Sequence, residues 1–218
     1  MEQMEQNKND KSTQISPAVV NRLPRYYRYL SDLLKVEKYK VSSKELSELM
    51  NLTASQIRQD LNCFGGFGQQ GYGYSVEQLR DEIGRILGAD RKFTAIIAGT
   101  GNLGTTIAKS GLLPKRGVEL CALFDNSPAV VGKEVAGLVV LDISEAARYC
   151  KKNKIDIAVL TLPKDETDPV ANMLAGAGIK GFWNFSNMEL KLDDHKSAQV
   201  QNIHMGDSLM LLCFQLNR

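Results

Sequence analysis

A glycine-rich segment near the middle of the chain has the residue types and the spacing that hold a phosphate group. Gly99-Thr100-Gly101-Asn102-Leu103-Gly104 follows the apolar run Phe93–Ala98 and precedes a predicted helix. In such a GxGxxG turn the first glycine makes the bend, the second lets the backbone approach a pyrophosphate, and the third lets the helix pack closely on the strand. The N-terminus of the helix supplies N–H groups and a partial positive charge. We therefore predict that these six residues bind a dinucleotide.

An acidic residue follows at the position where such a site contacts the adenosine ribose. Asp125 ends the second predicted strand, Val118–Phe124, and stands about 20 residues beyond the glycine turn, as the dinucleotide-binding pattern requires. A carboxylate there accepts hydrogen bonds from the ribose 2′-OH and repels a 2′-phosphate. The pattern therefore favours NAD(H) over NADP(H), and the alternative is a Rossmann fold that binds no nucleotide.

The elements around this turn predict an α/β fold. From Phe93 onward apolar strands, which include Ile155–Leu160 and Ile179–Phe185, alternate with predicted helices near 143–152 and 168–177. Continuous apolar strands joined by helices indicate a parallel sheet that is covered on both faces. We expect a Rossmann-like, doubly wound parallel sheet in the second half of the chain.

The first half is predicted to be helical from Ser16 to about Ala89. Ser42–Glu45 and Thr53–Gln56 each have the sequence of a capping box, and each opens a short helix, with a turn at 51–52 between them. Two short helices joined in this way are typical of a helix-turn-helix, whose second helix enters the major groove of DNA. From spacing alone, an ordinary helical hairpin is an equal alternative.

The segment that follows favours the DNA-binding alternative. Residues 64–74 carry five glycines among four aromatic residues, a composition that suits a tight β-hairpin. Directly after a helix-turn-helix, such a hairpin is typical of the wing of a winged helix, which reaches the minor groove. Residues 16–75 carry eight cations and five anions, so this half holds the positive excess of a chain whose net charge is only +2.

Composition excludes several other classes of protein. The chain of 218 residues is 43% hydrophobic, which is too apolar for a disordered protein. It has no apolar run of the roughly 18–20 residues that span a membrane. Residues 1–15 are polar and carry no secretory signal, and we expect a disordered arm there. We therefore predict that the protein has no membrane partner. Its four scattered cysteines predict a reduced, cytoplasmic protein without structural disulfides.

Residue patterns for catalysis or metal binding are scarce. The four cysteines lie far apart, without metal-ligand spacing, and three of them stand in apolar runs where buried thiols are expected. The chain has two histidines and no nucleophile-elbow or metalloprotease motif, so we predict no catalytic residue and no metal. Lys164, which follows a predicted strand, is the candidate proton-transfer residue of an oxidoreductase, although a solvated lysine is the simpler interpretation.

The C-terminal segment from Met205 to Leu216 is strongly apolar. A helix that is apolar on nearly all sides needs more than one surface to cover it. The sequence leaves two possibilities open: an internal core element, or a helix that inserts into a second subunit.

The chain resembles the Rex family of redox-sensing transcriptional repressors from about Ile15 to Leu216. The resemblance is carried by Arg22-Leu23-Pro24, Tyr26-Tyr27-Arg28, Val41-Ser42-Ser43, Arg58 to Gly73, Gly101 to Gly104, Phe124-Asp125 with Pro128 and Gly132, Ala177 to Gly181, and Asn184-Phe185. It implies a homodimer that binds a palindromic operator on double-stranded DNA through its winged helices. It also implies that NADH binding releases the DNA and that the C-terminal helices are exchanged between protomers.

The resemblance and the helix-turn-helix together place the DNA contacts on one set of residues in the first half. That set is Ser43, Ser55, Gln56, Arg58, Gln59, Gln70, Gly71 and Tyr72. Gln59 and Gln70 stand where basic residues are usual in the family. Because phosphate contacts supply much of the affinity for DNA, we expect DNA binding that is weakened or altered in sequence preference.

This sequence also departs from the family where the resemblance implies a switch. In the family an arginine matching Arg28 pairs across the dimer with an aspartate near the start of the C-terminal helix. A tyrosine after the glycine-rich helix competes for that aspartate. Here the aspartate position is His204 and the tyrosine position is Ser110, and Asn187 replaces a usual proline. An Arg–His contact lacks the charge-assisted bond that Arg–Asp provides.

We therefore predict a disordered arm (1–15), a winged-helix DNA-binding domain (16–89), a Rossmann NAD(H)-binding domain (90–204) and a C-terminal dimerisation helix (205–218). The functional hypothesis is a repressor that responds to the NADH/NAD state of the cell. Two alternatives stay open: an NAD-dependent oxidoreductase with a vestigial DNA module, and a Rex-like regulator that has lost NADH sensing.

Overall fold

The computed structural model describes residues 15–63, 68–69, 73–192, 195 and 197–217. The chain divides into two units, Met1–Asp90 and Arg91–Arg218. The predicted arm before residue 15 and three predicted wing residues, Gln70, Gly71 and Tyr72, lie outside the described residues. In the described part of the chain, no helix combines the length and the apolar character needed to cross a bilayer.

The described part of the first unit has five helices and a small three-stranded sheet. The helices are α1 (Pro17–Val20), α2 (Leu23–Lys35), α3 (Ser43–Met50), α4 (Ala54–Asn62) and α5 (Val76–Ile86). The strands β1 (Lys40–Val41), β2 (Gly68–Gln69) and β3 (Gly73–Ser75) are antiparallel, in the order β1-β3-β2. The pair α3–α4 with the hairpin β2–β3 has the element order of a winged helix. Strand β1 lies outside the predicted pattern.

Local sequence explains where these helices begin. Pro24 lies in the first turn of α2, where its missing N–H costs no hydrogen bond, so the chain starts a new helix there. Ser42 forms the predicted capping box of α3. The second predicted capping box is wrong: Thr53 accepts from the backbone N–H of Gln56 at 3.1 Å, but the Gln56 side chain donates to Asp60.

The apolar core of the first unit surrounds one buried carboxylate. Asp60, on α4, is 0% exposed. It accepts two hydrogen bonds from Arg22, both at 2.7 Å, one from Tyr26 Oη at 2.9 Å and one from Gln56 Nε2 at 2.8 Å. Burial opposes ionisation of Asp60, but these hydrogen bonds outweigh it and hold its pKa below the ordinary value. The cluster therefore joins α2 to the helix that is predicted to contact DNA.

The second unit contains a seven-stranded sheet. Its strands are β4 (Phe93–Ala98), β5 (Val118–Asp125), β6 (Glu134–Val135), β7 (Leu138–Asp142), β8 (Ile157–Leu160), β9 (Gly181–Asn184) and β10 (Gln199–Asn202). Their spatial order is β10-β9-β8-β4-β5-β7-β6, and all neighbours are parallel except β6 and β7. The helices are α6 (Asn102–Lys109), α7 (Ala146–Asn153), α8 (Lys164–Gly176) and α9 (Met205–Leu216). Apart from β6, this is the strand order of the dinucleotide-binding fold.

Alternate residues of the central strands face opposite sides of this sheet. Ile96 packs in one core cluster with Ala146 and Leu174, while its neighbour Ile97 packs in another with Ile107. Both faces are therefore covered, and the predicted doubly wound parallel sheet is confirmed. Strands β6, β7 and β10 lie outside the predicted pattern. Strand β6 has only two residues, β7 has one buried residue among exposed and half-buried ones, and β10 at the sheet edge alternates exposed and half-buried residues.

The cysteines are less buried than the apolar runs around them in the sequence predict. All four are free, but only Cys150 is buried, whereas Cys121 is intermediate and Cys63 and Cys213 are exposed. Burial raises the pKa of the Cys150 thiol to about 11. The expectation of a buried thiol is wrong for Cys213 because it stands on α9, which has no buried residue in the described chain.

Helix α9 keeps its large apolar side chains on the surface of the single chain. Their exposed fractions run from 49% for Leu212 to 78% for Leu216. The possibility that this segment is an internal core element is therefore wrong. A contiguous apolar surface of this kind marks an interaction site in soluble proteins.

We expect Asp60→Asn to destabilise the first unit by roughly 3 kcal/mol, because it leaves the Arg22 guanidinium without its buried partner. The cost lies at the low end of the usual range because the Arg22 side chain is 24% exposed and water partly solvates its guanidinium. The folded-state pKa of Asp60 is lowered, so the pair stabilises above the unfolded pKa, and this stabilisation is lost as pH falls. Urea unfolding followed by helical circular dichroism at pH 7 and at about pH 2.5, which is below the ordinary aspartate pKa, measures both effects.

Asp32→Asn is the matched control, because the Asp32 carboxylate pairs with Lys35 on the surface and is 55% exposed. We expect it to change stability by less than about 1 kcal/mol. Fluorescence of Trp183, the single tryptophan of the chain, reports the second unit separately. Equal losses for Asp60→Asn and Asp32→Asn would contradict the role assigned to the buried pair.

Candidate functional site

The predicted glycine turn joins the end of β4 to the start of α6. Gly99 has a φ of +95°, and a Cβ there would lie 2.6 Å from the carbonyl oxygen of Thr161. Gly101 is the N-cap of α6, and a Cβ on it would meet nothing within 4 Å. Open space therefore lies ahead of the helix N-terminus, where backbone N–H groups favour an anion.

The third glycine is enclosed by protein. A Cβ on Gly104 would overlap the carbonyl oxygen of Gly99 and lie 2.7 Å from Thr161 Oγ1. Thr161 Oγ1 donates to that same Gly99 carbonyl at 2.6 Å and thereby ties the turn to the end of β8. Because β4 pairs with β5 on one side and β8 on the other, the turn stands at the point where strand order reverses. Ligands of open α/β sheets bind in that crevice.

Asp125, the last residue of β5, is hydrogen-bonded to the same turn. Its Oδ2 accepts from Thr100 N at 2.6 Å and Thr100 Oγ1 at 2.8 Å, and its Oδ1 accepts from Ser127 N at 2.9 Å. Burial opposes ionisation, but these bonds outweigh it and hold the pKa of Asp125 below its ordinary value. The structure thus brings a charged, half-buried carboxylate to the predicted phosphate turn. Asn102 and Leu103 lie in the first turn of α6.

A cavity that sequence reasoning missed opens beside Asp125. Its volume is about 370 Å³, and its lining residues are Asn126, Ile143, Leu162, Asp165, Glu166, Pro169 and Val170. These residues follow the carboxyl ends of β5, β7 and β8, which the topology brings to one edge of the sheet. The sequence indicated this cavity only through the positions of these residues, which follow the predicted strands β5 and β8 and the strand β7, which was not predicted.

The predicted DNA-contact residues of the first unit fall into two groups. Ser55, Arg58 and Gln59 are exposed on α4, and Arg58 Nη1 donates to Ser43 Oγ on α3 at 3.3 Å. Gln56 is half-buried because its amide is bound to Asp60. The structure therefore brings Ser43 and Arg58 together and holds Gln56 closer to the core than its neighbours.

The division into two units recurs in comparisons with known proteins. Residues 14–62 match a family described as putative DNA-binding protein N-terminus, and residues 90–188 match one described as CoA binding domain. The redox-sensing transcriptional repressor Rex of Thermoanaerobacter pseudethanolicus is 48% identical over 207 residues, which cover 95% of this chain and 92% of that protein. Rex of Clostridioides difficile is 50% identical over 200 residues, covering 92% of this chain and 94% of that protein. The chain belongs to the Rex family.

Solved structures of a Rex-family repressor share this fold. A crystal structure of RSP in complex with beta-NAD+ and operator DNA has a TM-score of 0.86 and 47% identity, and the match covers 93% of each chain. RSP in complex with beta-NADH has a TM-score of 0.84 and 43% identity, covering 94% of this chain and 95% of that chain. The prediction of an N-terminal DNA-binding domain and a Rossmann-like sheet is therefore confirmed.

The three residues that the sequence resemblance predicts for a switch have the following surroundings. Arg28 is exposed on α2, with its guanidinium carbon 5.3 Å from the centre of the Tyr29 ring. Ser110 ends α6, and its hydroxyl donates to the Ile107 carbonyl at 2.8 Å. The third position, His204, immediately precedes α9.

His204 contacts a second residue that departs from the Rex pattern. Its Nε2 lies 3.0 Å from Glu189 Oε1, and its Nδ1 lies 3.4 Å from Asn187 Oδ1. Asn187 has a φ of +56°, which a proline ring cannot adopt. The two residues that the resemblance predicts as departures, His204 and Asn187, therefore lie at one place in the structure.

We expect Gly104→Ala to destabilise the second unit by about 1–3 kcal/mol or more, because overpacking of this size forces the helix from the strand. Gly101→Ala is the matched control, and we expect it to change stability little because its Cβ enters open space. Thermal unfolding followed by Trp183 fluorescence makes the comparison. If Gly104→Ala unfolds at the wild-type temperature, α6 is not packed on β4 as described.

Proposed function

We propose that this chain represses transcription by binding palindromic operator DNA as a homodimer, with an affinity for DNA that NAD(H) controls. The observation that carries the proposal is the presence, in one Rex-family chain, of an exposed recognition helix and a glycine turn bonded to an acidic residue. We propose no catalysis: Lys164, the candidate proton-transfer residue, is exposed at the first position of α8. Since a repressor works on the chromosome, we place the protein in the cytoplasm.

The DNA surface is formed by α4 and the start of α3. Arg58 supplies a cation beside Ser43, and the exposed Ser55 and Gln59 flank it on α4. Because Asp60 accepts from Nε2 of Gln56, the Oε1 atom of that amide remains to accept a hydrogen bond from adenine N6 or cytosine N4. The predicted wing residues Gln70, Gly71 and Tyr72 complete the surface in this proposal, on sequence grounds alone.

The nucleotide surface is formed by the glycine turn and Asp125. The open space ahead of Gly101 receives the pyrophosphate, and the N-terminus of α6 stabilises its charge. Asp125 accepts hydrogen bonds from the adenosine ribose hydroxyls. Coenzyme A carries a phosphate on that ribose, which the Asp125 carboxylate would repel, so the site favours NAD(H) over the CoA named by the matching family.

The dimer surface is α9. Seven large apolar side chains of α9 are exposed in the single chain: Met205, Leu209, Met210, Leu211, Leu212, Phe214 and Leu216. A second copy that receives this helix removes them from water, which is favourable at roughly 25 cal/mol per Å² of apolar area. The exchange of C-terminal helices between protomers is the arrangement we propose.

A second candidate function is a Rex-like regulator whose DNA binding does not respond to NADH. It is favoured by the contacts at the switch positions. His204 is held by Glu189 and Asn187, and Ser110 bonds to its own helix. Neither residue reproduces the acidic and phenolic groups that the resemblance implies there.

Operator titrations with and without NADH test the proposal. We expect NADH to weaken operator binding by roughly 5–150-fold, the usual range of coupling between two sites. We expect Gly101→Ala to bind the operator as the wild type does but to lose the NADH effect, because its Cβ occupies the pyrophosphate space. Repeating the titration at two salt concentrations separates phosphate contacts, which give the salt dependence, from base contacts.

Each outcome points to a different conclusion. If palindromic DNA does not bind, the repressor proposal is wrong. If it binds and NADH changes nothing in the wild type, the second candidate is correct, and His204 and Ser110 are the first positions to restore, as His204→Asp and Ser110→Tyr.

Leu212→Lys tests the dimer. We expect a monomer at micromolar concentration with an unchanged circular dichroism spectrum, because Leu212 is 49% exposed in the single chain and a buried lysine at an interface is costly. Gln215→Lys on the same helix is the control for added charge, and we expect it to remain dimeric. Analytical ultracentrifugation decides; a dimeric Leu212→Lys variant would place the interface elsewhere.

A further inference from the structure

The cavity beside Asp125 has two kinds of wall. Ile143, Leu162, Pro169 and Val170 supply apolar surface, and Asn126, Asp165 and Glu166 supply polar groups. At about 370 Å³ it has room for a purine ring, which packs well between aliphatic side chains. Asn126 directly follows Asp125, so a ribose held by that carboxylate would direct its base into this cavity.

One hydrogen bond links the polar groups across two elements. Asn126 Nδ2 donates to Glu166 Oε2 at 2.9 Å. Asn126 stands in the segment after β5, whereas Glu166 lies in the first turn of α8. The bond fixes the direction of the Glu166 side chain and occupies one of its two oxygens. The other oxygen, Oε1, is left as an acceptor, and no ion pair of the described residues includes Glu166.

We propose that Glu166 recognises the 6-amino group of the adenine ring of the bound dinucleotide and that Asn126 positions Glu166 for this contact. The inference rests on the proposed function, in which the glycine turn and Asp125 hold NAD(H). Glu166 becomes a specificity-determining residue for the base, as Asp125 is for the ribose.

The chemistry of the purine edge gives the discrimination. Position 6 of adenine carries an N–H donor, and a carboxylate oxygen is an acceptor with no proton to give. Position 6 of hypoxanthine carries a carbonyl oxygen, which faces the carboxylate acceptor to acceptor. The adenine ring therefore gains a charge-assisted hydrogen bond to Glu166. With the 6-oxo ring, the carbonyl oxygen and the carboxylate oxygen face each other without water and without a hydrogen bond.

Reduced nicotinamide hypoxanthine dinucleotide is the probe, because it differs from NADH only at position 6 of the base and at the adjoining N1, which carries a proton in the 6-oxo ring. We expect the full-length wild type to bind NADH at least roughly tenfold more tightly than the 6-oxo dinucleotide, the effect of one hydrogen bond to a charged group. Nicotinamide fluorescence measures both affinities. In Glu166→Gln, whose amide presents either a donor or an acceptor, we expect the two affinities to differ by less than about threefold.

Asp165→Asn is the matched control, because it removes the same charge from the neighbouring residue of the same cavity. We expect it to keep the wild-type preference for NADH. Asn126→Ala removes the positioning bond, and we expect the preference to fall while the unfolding temperature stays unchanged.

The possible failures are distinguishable. If the wild type binds neither dinucleotide, the proposed function fails and this inference fails with it. If the wild type binds both equally, or if Asp165→Asn rather than Glu166→Gln removes the preference, NAD(H) binding stands and the assignment of Glu166 is wrong.

Discussion

The close packing of α6 on the ends of β4 and β8 is the constraint on which the second unit depends. Gly104 has no room for a Cβ, Gly99 requires a positive φ, and the Thr161 hydroxyl bonds to the turn between them. Because the helix starts so close to the sheet, its first N–H groups open onto the crevice, and Thr100 comes within hydrogen-bond distance of Asp125. This one packing contact therefore places an anion site and an acidic side chain next to each other.

Each unit contains one aspartate with several hydrogen bonds, and the two aspartates differ in the groups that bind them. Asp60 is fully buried and neutralised by the Arg22 guanidinium, so its charge serves the fold and is hidden from any ligand. Asp125 is held by backbone N–H groups and a hydroxyl, and none of the ion pairs among the described residues includes it. Its negative charge therefore remains available to discriminate between a hydroxyl and a phosphate.

The sequence predicts those parts of the molecule that local patterns determine. The glycine turn, Asp125, the cap at Ser42 and the central strands follow from spacing and apolar runs. The Asp60 cluster does not, because its partner Arg22 stands 38 residues away and no local pattern joins them; an aspartate between Ile57 and Leu61, on the apolar side of α4, was the available sign. Edge strand β10 and the cavity beside Asp125 were missed because both depend on which strand ends the sheet brings together.

Two residues separate helix α9 from the last strand, and the second of them, His204, contacts Asn187 and Glu189. A chain that exposes this helix until it meets another copy has a folded state whose stability depends on protein concentration. In the proposed dimer two copies must assemble to cover a palindrome, so operator occupancy rises with the square of the monomer concentration when dimers are scarce. Synthesis and dilution of the protein during growth would then regulate its targets alongside any small ligand.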